Sequence, residues 1–82
     1  MSAELLQQLE EVVWVDAGRM SGVPCFRGTR IPVQMLIDHL AGGFSLDEFL
    51  ETVPSLERAQ AQRFIEIAGE QVQECASSLT NA

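Results

Sequence analysis

The stretch Gly22-Val23-Pro24-Cys25-Phe26-Arg27-Gly28-Thr29-Arg30-Ile31-Pro32-Val33 constrains the fold more than any other part of this chain. It sets two glycines, two prolines and two arginines among apolar residues. Gly22 and Gly28 can take positive φ at no steric cost, so each can turn the chain. Pro24 withholds a ladder donor and biases Val23 away from the helical region, so Val23 to Phe26 reads as a short extended run. Pro32 suits the first position of a helix, where its missing N–H costs nothing. The stretch therefore predicts strand, tight turn, short strand and the start of a helix. Gly22, Pro24, Gly28, Thr29, Arg30 and Pro32 are expected to hold that turn or an interface beside it. Gly28 is expected at a backbone angle that other residues resist. Arg30 is expected to bond carbonyls or a carboxylate such as Asp38 or Glu51.

On either side of this stretch the pattern is mostly helical. Ser2 is a candidate N-cap for a short helix over residues 2–11, with Leu5, Leu6 and Leu9 on one side. Val12-Val13-Trp14-Val15 is the strongest β run, and Asp16-Ala17-Gly18 follows as a turn signal. Val13–Val15 and Pro24–Phe26 are expected to pair antiparallel. Two strands alone are barely stable, so they must lie on the helices or join the same strands of a second chain. Pro32 to Ala41 forms a first core helix with Val33, Leu36, Ile37 and Leu40 on one face, ended by Gly42-Gly43. His39 falls at the solvent edge of that face. Ser45 and Glu48 form a capping box for a second helix, whose face is Leu46, Phe49, Leu50 and Val53 and which Pro54 stops. Ser55 is expected to cap a third helix from Leu56 to about Cys75. Its apolar stripe runs through Leu56, Ala59, Phe64, Ile67, Ala68, Val72, Cys75 and Leu79. The shorter helices cannot cover so long a stripe, and the part beyond Ala68 calls for docking by the N-terminal helix, a second copy or a partner protein. The expected fold class is α+β, mostly α: a short two-stranded β element beside a trihelical helix-turn-helix core. One domain is expected, divided into an arm over 1–31, a core over 32–76 and a frayed tail over 77–82.

Eighty-two residues lie near the lower end for a self-sufficient core. No run approaches a membrane span, and the N-terminus lacks the basic start and cleavage site of a secretory signal, so a cytoplasmic protein without membrane contact is expected. Cys25 and Cys75 stand fifty positions apart with a single histidine in the chain. That spacing predicts reduced, mostly buried thiols and no metal site. No nucleophile–base pair, phosphate loop or dinucleotide fingerprint is present, so neither an enzyme nor a cofactor is expected.

Charge bears directly on partners. Five arginines and no lysine stand against twelve acids, a net −7. Residues 45–82 hold seven of those acids and only Arg58 and Arg63. The helical half is thus the acidic half, which suits a basic protein partner better than a phosphate backbone. The helical spacing nonetheless fits a helix-turn-helix whose third helix lies in a major groove. Glu57, Arg58, Ala61 and Gln62 would be its exposed N-terminal positions. Arg58 would read guanine, Gln62 adenine, and Arg63 would meet phosphate. Glu57 would face phosphate and oppose that contact.

The runs G-x-P-x-F-x-G-T-R-I-P-V, L-I-D-H-L-A-G-G-F-S-L-D-E-F-L-E and V-P-S-L together resemble the domain of unknown function numbered 433. The resemblance extends from roughly Val13 to Ala68. Members are small bacterial and archaeal proteins similar to VapB-type antitoxins. The resemblance implies a homeodomain-like helical core behind a small β element and no enzymatic activity. It also implies an antitoxin of a type II toxin–antitoxin system that neutralises a PIN-like ribonuclease and autoregulates by binding operator DNA. The alternative is a protein-interaction module or transcriptional regulator standing without a toxin. A homodimer is expected, formed through the N-terminal strands, the third helix or both. Even a dimer using both helical arginines of each copy makes about four phosphate contacts, against six to ten for a strong binder, so binding by the chain alone should be weak.

Overall fold

The structure is a computed structural model that describes residues 3–16, 18, 22–77 and 79. It is mostly helical, with one small antiparallel sheet. In order, the elements are α1 (Ala3–Val12), β1 (Val13–Trp14), β2 (Cys25–Phe26), α2 (Val33–Ala41), α3 (Leu46–Thr52) and α4 (Arg58–Ala76). The expected Ser2 cap and the Arg19-Met20-Ser21 segment lie outside the described residues, as do Ser78 and residues 80–82 of the tail.

Both strands are shorter than their β-propensity suggests. Val13 pairs with Phe26 and Trp14 with Cys25, while Val15, 60% exposed, lies beyond the pairing. The hairpin is held as much by side chains and turn bonds as by its ladder. Phe26 N–H donates to the Ile31 carbonyl (2.9 Å) and Thr29 N–H to the Phe26 carbonyl (3.0 Å). The Thr29 hydroxyl donates to that same Phe26 carbonyl (2.8 Å) and accepts from Ile31 N–H (3.0 Å). Trp14 Nε1 closes the open side by donating to the Thr29 carbonyl (2.9 Å). Gly28 turns the chain between these bonds at φ +79°, a region that a side chain disfavours.

Pro32 sits one position earlier than its sequence preference implies. It is the N-cap of α2, in extended conformation, and its carbonyl accepts from Met35 N–H (3.0 Å). Leu36 on α2 is fully buried, whereas Ile37 and Leu40 of the expected face are 43% and 40% exposed. The C-terminus of α2 closes through Gly43, at φ +92°. Gly43 N–H meets the Leu40 carbonyl (3.1 Å) and Phe44 N–H the His39 carbonyl (3.0 Å), the crossed pair of a Schellman motif. His39 is half-buried, not merely at a solvent edge: its ring lies edge-on to Phe49, with centroids 5.0 Å apart, and its Nδ1 bonds the Met35 carbonyl.

The capping box on α3 forms in both directions, Ser45 Oγ from Glu48 N–H (3.1 Å) and Glu48 Oε1 from Ser45 N–H (3.0 Å). Replacing Ser45 with Ala removes one half of it, and an exposed N-cap is worth about 1 kcal/mol. Ser45→Ala should therefore lower the urea midpoint modestly without changing the slope, in a denaturation followed by far-UV circular dichroism. An unchanged midpoint would show that α3 is held by its buried face alone.

The start of α4 departs from expectation. Ser55 does not cap it; Glu57 is the N-cap, with no side-chain cap bond, and the helix opens at Arg58. The reason is Leu56, which is 5% exposed and packs into the core from a turn in which its N–H meets the Val53 carbonyl (3.0 Å). That inward step uses the residues that would have formed the first helical turn.

Two buried clusters meet on α4. One joins Phe26, Leu36, Phe49, Val53, Leu56 and Ala61. The other joins Leu5, Val12 and Ile67, and Phe64 packs against both. The N-terminal helix thus supplies part of the cover that the long stripe required, although Leu6 stays 48% exposed. It lies antiparallel to α4: Val12 is near Gln60, Gln8 near Arg63, and Glu4 and Leu5 share a groove with Glu70 and Glu74. Cys25 is buried, but Cys75 is exposed, so only one of the two thiols is inside. Among the described residues no helix is long and apolar enough to cross a membrane.

Candidate nucleic-acid interface

A helix that reads DNA must present its basic and amide side chains together, uncommitted, on one exposed face. The opening turns of α4 divide them instead. Arg58 and Gln62 are four positions apart and share an exposed face. Arg63 is five positions from Arg58, which at 3.6 residues per turn sets it about 140° round the helix. It points at α1, where Nη2 donates to Gln8 Oε1 (2.8 Å) and Nη1 pairs with Glu66 (3.2 Å). Ala61, expected among the exposed positions, is fully buried in the core between α3 and α4.

Charge is committed too. Arg58 is ion-paired with Asp47 of α3, which sets a carboxylate beside its guanidinium. Glu57 stands exposed beside it. Of the three residues proposed from sequence to contact DNA, only Gln62 is exposed with no hydrogen bond or ion pair to any described residue. The pair Arg58–Asp47 is exposed on both sides and can exchange partners readily.

The turn residues come together in a different way. Gly22 (φ +78°) and Gly28 (φ +79°) both take left-handed backbone. Pro24 donates nothing, but its carbonyl accepts from Val33 N–H (3.1 Å), tying the start of α2 to the hairpin. Pro32 bridges to Cys25 as a third short rung. Arg30 does not meet Asp38 or Glu51; it is exposed, with no hydrogen bond or ion pair to any described residue. Its neighbour does what Arg30 was expected to do. Arg27 Nε donates to the Glu10 carbonyl (2.6 Å) and Nη2 reaches the Val13 carbonyl (3.4 Å). It thereby satisfies a carbonyl left open in the last turn of α1 and places a cation at that negative helix end.

Gln60 completes the turn from the other side. Its Nε2 donates to the Arg27 carbonyl (2.9 Å) and lies 3.4 Å from the Val12 carbonyl. Trp14, Arg27 and Gln60 are therefore structural residues of the turn that sequence reasoning did not single out. The Gln60 contact spans 33 positions, and no local spacing marks it. Among the described residues no group of three or more His, Cys, Asp or Glu could hold a metal ion.

The family described as "Protein of unknown function (DUF433)" matches residues 13–68, from β1 through the middle of α4. No curated protein and no solved structure matches the chain.

Proposed function

Because the chain belongs to the DUF433 family, we propose that it acts as an antitoxin-type protein-binding module whose partner is a basic, PIN-like ribonuclease, and that contact with operator DNA is secondary. In this reading α2, α3 and α4 are a homeodomain-like trihelical core, with α3 and α4 as its helix-turn-helix. The resemblance to VapB-type antitoxins supplies the partner class. The observation that carries the choice between protein and DNA is the commitment of the α4 arginines. Arg58 is paired with Asp47, and Arg63 with Glu66 and Gln8 on another side of the helix. What remains on the helical half is acid: with Asp47 and Glu66 set against the two arginines, the five carboxylates of Glu48, Glu51, Glu57, Glu70 and Glu74 are left. Such a surface attracts a cationic protein and speeds its association. It repels a phosphate backbone, although salt screens the effect beyond about 8 Å.

A stand-alone transcriptional regulator is the second reading, and the shared face of Arg58 and Gln62 favours it. Fluorescence anisotropy on the DNA upstream of the gene separates the two. The chain is measured alone and with the product of the neighbouring reading frame, across a salt series, together with inhibition of that product where it is a PIN-like ribonuclease. The chain alone should bind DNA weakly and should suppress the nuclease. Nanomolar DNA binding by the chain alone at physiological salt, lost in Arg58→Glu, would make it a regulator first. A neighbouring frame that encodes no such nuclease, or a nuclease the chain does not inhibit, would remove the antitoxin reading.

A further inference from the structure

We propose that the exposed side of α4 beyond the core is a self-association seam that pairs antiparallel with the same seam of a second copy. The α4 face that begins in the core at Ala61 continues past it. Ile65, Ala68, Val72 and Cys75 follow at alternating spacings of three and four, and Leu79 takes the next such position in the turn after the helix. This is the spacing that keeps one seam facing a neighbouring helix. Every member is exposed, Val72 by 66% and Leu79 by 77%. Val72, Cys75, Ala76 and Leu79 line one shallow, almost wholly apolar depression. The helix α1 does not reach this side, because it lies in the groove with Glu70 and Glu74.

Charge selects the occupant. The flanks of the seam carry Gln62, Gln71 and Gln73 and one carboxylate, Glu66, which is paired with Arg63, whereas Glu70 and Glu74 face the α1 groove. Among the described residues, a cationic partner finds no carboxylate along the seam that lacks a cation of the same helix beside it. Two copies of a chain of net charge −7 can approach there across glutamines and one internally paired glutamate. Direction follows from the same charge. The hairpin, α2 and α3 all pack around the first half of α4. A parallel pair would set these acidic bodies side by side, and an antiparallel pair sets them at opposite ends. With the two-fold axis at Val72, Ile65 meets Leu79 of the second copy, and Ala68 and Gly69 meet Cys75 and Ala76. Large residues then close the ends while small ones let the helices approach, a self-complementary contact of the isologous kind. Its helical part, from Ile65 to Ala76, is about 17 Å long at 1.5 Å per residue. That is less than a standard protein interface provides, so the dimer is weak and depends on concentration.

Sedimentation equilibrium tests the seam independently of any ribonuclease. The 9.0 kDa chain should show a weight-average mass rising toward that of a dimer in the high-micromolar range. Val72→Glu, at an exposed position, should raise the dissociation constant at least tenfold with an unchanged melting temperature. Under mild oxidation, Val72→Cys in a Cys75→Ser background should cross-link quickly. The wild type should not, because antiparallel pairing offsets the two Cys75 residues along the axis. A wild type that stays monomeric throughout, or a Val72→Glu chain that dimerises as well as the wild type, would overturn the seam. Rapid Cys75–Cys75 cross-linking would overturn its direction.

Discussion

Phe26→Ala should remove about 3–5 kcal/mol of stability, the usual result of emptying a fully buried aromatic site. A chain of this length holds roughly 4–12 kcal/mol in total at the customary per-residue stability, so the variant should be largely unfolded if the protein lies near the lower end. The expectation rests on where Phe26 sits. It has no exposed surface, it packs with Leu36, Phe49, Val53, Leu56 and Ala61, and its ring meets Phe64 edge-on at 5.5 Å. Its backbone is equally engaged, through Ile31 on one side and Thr29 on the other. Guanidinium unfolding followed by Trp14 fluorescence is the measurement, since the indole is bonded to the same turn. Phe26→Leu should lose clearly less. A Phe26→Ala midpoint equal to the wild type would mean that the core is not centred on this residue.

Gly28→Val should also be costly, for a different reason. A Cβ at this position would meet no heavy atom within 4 Å, so space is not the obstacle. The obstacle is φ +79°. An L-residue pays about 1–2 kcal/mol to adopt left-handed backbone, and a β-branched one more. For a domain of this size each kcal/mol shifts the melting temperature by about 4–8 °C. Gly28→Val should therefore melt at least about 5 °C lower in a calorimetric or dichroism scan. Gly28→Asn should lose less, because asparagine tolerates this region. Equal melting of all three chains would show that the turn bends through some other residue.

Local chemistry was readable from the residues, and long-range chemistry was not. The Ser45–Glu48 box, the Gly42-Gly43 helix end and the face of α3 depend on neighbours within four positions, so their signals are complete in a short window, whereas on α2 only Leu36 of the expected face is fully buried. The start of α4 misled because two local rules competed. Ser55 is a good cap, yet burying Leu56 is worth more, and the helix waits for Glu57. The exchange of roles between Arg27 and Arg30 had no local signal. Both flank the same turn, and only the approach of α1, 17 positions away, decides which one finds a carbonyl. At the candidate interface the residue types were legible, but their commitments were not. Asp47 takes Arg58 from another helix, and Gln8 takes Arg63 from 55 positions away.

The antiparallel seat of α1 on α4 has a bearing on biosynthesis. Helix α1 is translated before α4 yet rests on it, with Gln8 bonded to Arg63 and Val12 beside Gln60. At roughly 5–20 residues per second, translation of the intervening chain takes several seconds. Throughout that interval Leu5, Leu9 and Val12 have no α4 to cover them, and α1 carries a bare apolar face. Its hairpin turn likewise lacks Gln60 until the same moment. The N-terminal third of the molecule is thus completed only when α4 emerges.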